Sequence, residues 1–382
     1  MILPSSRLLR ASCGAVFVSL LVASAPGALA ADPSKASRLG LEAQDFVDRG
    51  DLGQAESLIK KALDLEPKNP DANTAAARIS FLRADNVRAQ QQLAVALSSD
   101  PRHAGALTLL VRVHAMTGNT EILIPRFAQL ANTWRDDAGV QLAYAEALLL
   151  NKKYPEAIAG ATRVLKLEET SMPAMKLLAR TYLALDRPVT AESILARILE
   201  TERDAETLSL LSGIRHRDGK VIDARVLLEE AVQLLPGFVS GLNSLGAVYV
   251  DVRNWEGSIQ VLRKASSLAP RWSPVWVNLG CALRGAGSFV EAEGAWKQAL
   301  LIDAQLYKPW FNLGVLYLEN PLPERDRLQQ LTDAVNALNA SRRLGAVSDD
   351  IDRYLEEARL LIKQERDKRE RERKTPAPET GS

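Results

Sequence analysis

The chain has 382 residues, 47% of them apolar and 25% charged, with 48 lysines and arginines against 47 aspartates and glutamates. A formal charge of +1 offers no overall attraction to nucleic acid or to an acidic membrane surface. Length alone would allow one large core or two.

Residues 1–30 differ in kind from the rest. Arg7 and Arg10 supply a positive start, Cys13 to Ala25 is a short apolar run, Pro26 breaks it, and Ala28-Leu29-Ala30 has the small-x-small form of a cleavage site. The pattern predicts a cleavable secretory signal, with the mature chain starting near Ala31 and residing in the periplasm or outside the cell. An uncleaved membrane anchor is the alternative, against which stands the shortness of the apolar run. Ala11-Ser12-Cys13 does not make a lipidation site, because Arg10 stands where an apolar residue is needed and the apolar run follows the cysteine. Cleavage would remove two arginines and no acid, leaving 46 basic and 47 acidic residues and one cysteine, Cys281, with no disulfide partner. No stable membrane span is expected after cleavage, although peripheral association with the envelope remains open.

Residues 31–345 then carry a 34-residue period. Copies start at Ala36, Pro70, Ala104, Ala138, Met172, Ala205, Val239, Ser273 and Tyr307. The clearest read Val239-Ser-Gly-Leu-Asn-Ser-Leu-Gly-Ala-Val-Tyr, Ser273-Pro-Val-Trp-Val-Asn-Leu-Gly-Cys-Ala-Leu and Tyr307-Lys-Pro-Trp-Phe-Asn-Leu-Gly-Val-Leu-Tyr. A second apolar stretch follows in each, as in Ser258, Leu262, Ala265 and Pro270, or Ala55, Ile59, Ala62 and Pro67. Within a copy, Leu242, Leu245, Gly246 and Tyr249 recur at helical spacing, as do Ile259, Leu262 and Ala265. Turns such as Arg49-Gly-Asp and Asp218-Gly-Lys separate the two stretches.

A 34-residue period with Trp or another apolar residue, then Leu-Gly, then Tyr, a small residue and a closing Pro resembles the tetratricopeptide (TPR) family. The resemblance implies an all-α, right-handed superhelical solenoid of about nine helix pairs, with a concave surface lined mainly by the first helix of each repeat. One extended domain with only local contacts is expected. Gly246, Gly280 and Gly314 should let helices approach closely. Trp276 and Trp310 occupy the family's large packing site, so Trp276→Ala or Trp310→Ala is expected to cost roughly 3 to 5 kcal/mol. The third copy is the weakest, with Pro125 expected to interrupt its second helix.

Toward the C-terminus, Pro321 and Pro323 break the pattern and precede a longer second helix. Residues 346–374 predict a capping helix that starts at Ser348-Asp-Asp, buries Ile351, Tyr354, Leu355, Ala358, Leu361 and Ile362, and runs on as a charged arm from Lys363 to Lys374. Residues 375–382 read as a disordered tail.

Chemistry-bearing residues are sparse. His103, His114 and His216 stand far apart, and one cysteine cannot complete a zinc site, so no metal, cofactor or catalytic residue is assigned. There is no glycine-rich phosphate loop and no Gly-x-Ser-x-Gly. Repeats and cap consume the chain, and a non-enzymatic protein is expected. Of the tryptophans from Trp255 to Trp310, only Trp272 lacks a packing assignment.

The resemblance also implies a groove. Asn278 and Asn312 precede the Leu-Gly pair, where relatives that clasp extended peptides carry asparagines whose amides satisfy backbone donors and acceptors together. Lys308 matches a place where relatives that grip a carboxyl terminus carry a cation; the companion lysine-asparagine pair is missing. Asn243 and Arg284 complete the candidate binding set. The expected partner is one or more proteins or peptides, and the expected role a protein–protein interaction scaffold or adaptor in the cell envelope. The alternative is a structural part of an envelope machine for motility, pilus assembly, secretion or polysaccharide export, docking through the C-terminal arm. A helical-repeat RNA binder is a third reading, opposed by the balanced charge.

Overall fold

The computed structural model describes residues 33–346 and 349–374. The expected signal, Cys13, Ser348 and the tail from 375 lie outside the described residues. Each repeat forms two antiparallel helices. In chain order the pairs are Lys35–Arg49 with Leu52–Leu65, Pro70–Leu82 with Asn86–Ser99, Ala104–Met116 with Ile124–Thr133, and Ala138–Leu150 with Tyr154–Leu167. Met172–Ala184 pairs with Pro188–Thr201, Ala205–Arg217 with Val221–Leu234, and Val239–Asp251 with Trp255–Leu268. Ser273–Gly285 with Phe289–Ile302 and Tyr307–Glu319 with Arg327–Arg343 complete the set, and Asp349–Lys374 is the final helix.

Local chemistry sets these boundaries. Asp51, Asn69, Asp85, Asp137, Asp204, Asn254 and Asp326 each accept a backbone N–H of the first turn that follows them, satisfying donors that have no partner inside the helix. Between the paired helices, one residue of every repeat from one to eight adopts a left-handed conformation. Gly50, Gly118, Gly219 and Gly287 do so freely, while Ala84, Lys152, Asp186 and Arg253 do so with φ of 55 to 58°.

First helices touch the first helices of neighbouring repeats, Lys35–Arg49 against Pro70–Leu82 and Val239–Asp251 against Ser273–Gly285 among them, whereas second helices make no comparable contact. First helices therefore line the inside of the curve. Small residues set their distance from the second helices. A Cβ on Gly280 would clash with the Trp296 ring, and one on Gly314 would stand 2.6 Å from Leu338.

Several expectations require correction. Pro125 initiates the second helix of repeat three instead of interrupting it: a 3₁₀ turn over Thr120–Leu123 precedes it, and the proline occupies the first turn, where its missing N–H costs nothing. Trp276 and Trp310 are only half-buried, their indole N–H groups donating to Pro270 O and Ala304 O at 2.8 and 3.4 Å. The fully buried large side chain is Trp296, 1% exposed, donating to Val277 O at 3.0 Å. Trp272 also packs, partly buried, against the core of repeats seven to nine.

The contacts are not all local either. Gly237 N donates to Asp48 O at 2.6 Å, joining repeat one to the end of repeat six. A superhelix with a small enough pitch brings its turns together, and periodicity along the chain carries no information about pitch.

The final helix seals the last repeat. Ile351, Leu355 and Ala358 are buried, and Tyr354 meets Phe311 edge-on at 5.9 Å. The charged stretch does not leave at once: Arg369 reaches back to Asp326 at 2.5 Å and to Glu365 at 3.0 Å. The proline loop between Glu319 and Arg327 is likewise pinned. Arg325 donates to Glu293 at 2.6 Å, and Gln330 bonds Tyr317 O, Asn320 O and Leu322 N at 2.7 to 2.9 Å.

Candidate binding groove

The ninth residue of each first helix faces the inside of the curve, and it divides the groove in two. Repeats two to five place Arg78, Arg112, Glu146 and Arg180 there. Glu146 is 5% exposed and shared between Arg112, at 3.8 Å, and Arg180. Arg180 continues to Glu206 at 3.6 Å, and Lys176 bridges Glu206 and Asp204 at 3.2 Å each. Burial alone would raise the Asp204 carboxyl, but bonds from Thr207 and Lys176 outweigh it and hold the group below its ordinary value. The result is a ladder of alternating charges whose members satisfy one another.

Repeats six to eight place the small residues Gly213, Ala247 and Cys281 at the same position, and repeat nine a buried Val315. Of the candidate residues, Asn312 and Arg284 line a pocket beside Cys281, and Asn243 and Asn278 pair with each other. Asn278 Nδ2 donates to Asn243 Oδ1 at 3.0 Å, which leaves the Asn243 amide N–H groups and the Asn278 carbonyl oxygen open to the groove. One donor and one acceptor side by side match the demand of a single peptide unit. Asn312 Nδ2 approaches Cys281 Sγ at 3.5 Å. Arg284 pairs with Glu319 at 2.5 Å, so its charge is already met within the chain. Lys308 is exposed one helical turn before Asn312 and makes no ion pair among the described residues.

Beside Asn312 lies a pocket of ≈ 440 Å³ lined by Val250, Trp255, Cys281, Phe289, Trp296 and Asn312 together with the Arg284–Glu319 pair. Burial pushes the Cys281 thiol up, so its sulfur is a packing group, not a thiolate. Glu293, 5% exposed beneath the neighbouring surface, escaped the sequence reading. Burial would raise its carboxyl, yet bonds from Lys297, Tyr317 and Arg325 hold it below its ordinary value, and burial with the same carboxylate pushes Tyr317 far up. Glu293 thereby anchors the proline loop beside the pocket. Its place four residues before Lys297 was the available signal.

The histidines are structural where they are partnered. His103 caps the first helix of repeat three, accepting from Ala106 N at 3.1 Å, with Asp71 3.0 Å from its other nitrogen. His216 sits 2.7 Å from Asp251. Among the described residues no group of three His, Cys, Asp or Glu side chains could hold a metal ion, and no helix is long and apolar enough to cross a membrane.

The fold is a helical-repeat solenoid, an architecture that supports a protein–protein interaction scaffold. The tetratricopeptide-repeat family model matches residues 46–109 and 148–214, outside the copies with the clearest Leu-Gly motif. The chain is similar in structure to a chain of the APC/C hetero-tetramer Cut9–Hcn1, with 19% identity over 85% of this chain and 64% of that one and a TM-score of 0.62. This chain thus spans less than two thirds of that relative's length. It is also similar to pilF of Pseudomonas aeruginosa, with 16% identity over 58% of this chain and 97% of that one and a TM-score of 0.50. No curated protein matches it in sequence. Period, helix pairing and family match together make this chain a tetratricopeptide-repeat protein.

Proposed function

We propose that the protein is a non-enzymatic adaptor, exported to the periplasm or beyond, that holds an extended segment of a partner protein along the inner face of repeats seven to nine. The Asn243–Asn278 pair, each with an amide group that makes no hydrogen bond among the described residues, and Asn312 in the wall of the neighbouring pocket carry this reading. Lys308 suits a carboxylate on the bound segment. The signal-like residues 1–30 support export, and the similar chain from the Cut9–Hcn1 hetero-tetramer belongs to an assembly of several protein chains.

The test begins with cross-linking of the exported protein and identification of what is attached to repeats seven to nine. Asn278→Ala combined with Asn312→Ala is then expected to weaken that partner's binding by roughly tenfold or more, two hydrogen-bonding groups being lost, while the helical melt stays at the wild-type temperature. Unchanged affinity moves the interface elsewhere.

The second reading is a component of a larger envelope assembly that docks through the last helix. Its support is that Asp349–Lys374 outruns the Arg369–Asp326 tie, leaving an exposed charged end. Deleting residues 370–382 keeps that tie and separates the readings: a groove adaptor tolerates the loss.

A further inference from the structure

We infer that the helical turn of repeat one and the loop joining repeats six and seven form a clasp that closes one turn of the superhelix on itself. Its polar part is the hydrogen bond from Gly237 N to Asp48 O, 2.6 Å long. Asp48 is held in place by its own carboxylate, which pairs with Arg78 of repeat two. The apolar part surrounds it. Leu268 lies 3.5 Å from where a Cβ of Gly50 would stand, and Leu52 and Leu82, members of the core of repeats one and two, also pack against the core of repeats seven to nine.

Gly237 identifies the contact as specific. It is absent from the residues with positive φ, so the local backbone does not require glycine there. The approach of repeat one does: a Cβ on Gly237 would stand 2.6 Å from Asp48 O and 2.7 Å from Gly50 N, and nearer still to Val47 O. All three obstacles are backbone atoms and cannot swing aside as a side-chain tip can. The residue lacks a side chain because a different part of the chain occupies that space.

Closure changes which ligands the groove admits. An open solenoid offers its inner face from the side, whereas a closed turn turns the first helices of repeats one to six into a continuous wall. An extended chain enters along the axis; a folded domain reaches the wall only after the clasp opens. The clasp also joins units that nearest-neighbour stacking would leave independent. None of this depends on the partner's identity or on the asparagine row.

The test measures the clasp directly in the full chain. With Cys13 and Cys281 replaced by serine, spin labels at Gln54→Cys and Lys264→Cys, both exposed, flank the contact on either side. The clasp predicts one short, narrow distance distribution in the otherwise native protein. Gly237→Leu, whose side chain has no space there, is expected to abolish that short component without loss of helical circular dichroism, and Gly237→Ala to reduce it. A broad or long distribution in the native protein overturns the clasp, and it decides the matter even where Gly237→Leu fails to fold. A distribution unmoved by Gly237→Leu overturns it as well.

Discussion

Repeats two to five and repeats six to nine share one backbone plan, yet they finish their inner faces differently. In the first group Arg112, Glu146 and Arg180 stand one repeat apart and neutralise one another, continuing into Glu206, Lys176 and Asp204. A ligand on this wall would have to displace ion pairs that are partly desolvated, which is unfavourable unless each charge is re-paired. In the second group Gly213, Ala247 and Cys281 are small and Val315 is buried, the amides of Asn243 and Asn278 are half-used, and stability comes from Trp296 filling the space above Gly280. The difference teaches that a solenoid can pair its inner charges along one stretch and leave small residues and half-used amides along the next without any change of fold.

The largest effect expected on this contrast is at Trp296. Trp296→Ala empties a fully enclosed site and should cost about 3–5 kcal/mol, destabilising repeats seven to nine before the rest, so that thermal unfolding becomes two-phased. Trp276→Ala and Trp310→Ala, at half-buried positions, should cost only about 1–2 kcal/mol. Equal losses at the three sites, measured by urea denaturation, would refute the assignment of Trp296 as the keystone of repeats seven to nine.

Next in size is Glu146→Gln, which leaves Arg112 and Arg180 facing a neutral amide. A cost of about 1–3 kcal/mol is expected from charged donors losing their acceptor, confined to repeats two to five. The wild-type protein should lose part of this stabilisation in high salt while the variant does not. A variant melting at the wild-type temperature would reduce the ladder to a surface pairing of no consequence.

Much of this was legible in the sequence, and unevenly so. The starts of the first helices at Pro70, Ala104, Ala138, Met172, Ala205, Val239, Ser273 and Tyr307 follow from the period, because each apolar stripe has to be buried against the next repeat. The ion ladder was written there too, but across repeats: Arg112, Glu146 and Arg180 align only when each position is read down the nine copies. The half-exposure of Trp276 and Trp310 was not legible, since a family position specifies a contact without specifying how much solvent reaches it. Nor was the Gly237 clasp, which depends on a pitch accumulated over six repeats. Of the candidate site residues, the structure joins Asn243 to Asn278, sets Asn312 beside Cys281, pairs Arg284 with Glu319 and gives Lys308 no ion pair among the described residues; sequence supplied the positions but not these pairings.

The smallest effect concerns what the two halves have in common, the left-handed residue of each turn. Ala84, at φ 55°, holds a conformation that costs an L-residue roughly 1–2 kcal/mol, whereas glycine there would give back about 0.4–1 kcal/mol through the greater freedom of the unfolded chain. The first term exceeds the second, so Ala84→Gly should stabilise the protein by about 0.5–1 kcal/mol. Gly219→Ala is the converse in the other half: its φ is 75° and an added Cβ meets nothing within 4 Å, so only the backbone term acts and a loss of similar size is expected. Because neither substitution touches the groove, both should shift the chemical-denaturation midpoint while leaving partner affinity unchanged. If Ala84→Gly destabilises instead, the unfolded-state term dominates, and the glycines at Gly50, Gly118, Gly219 and Gly287 owe their places to something other than turn geometry.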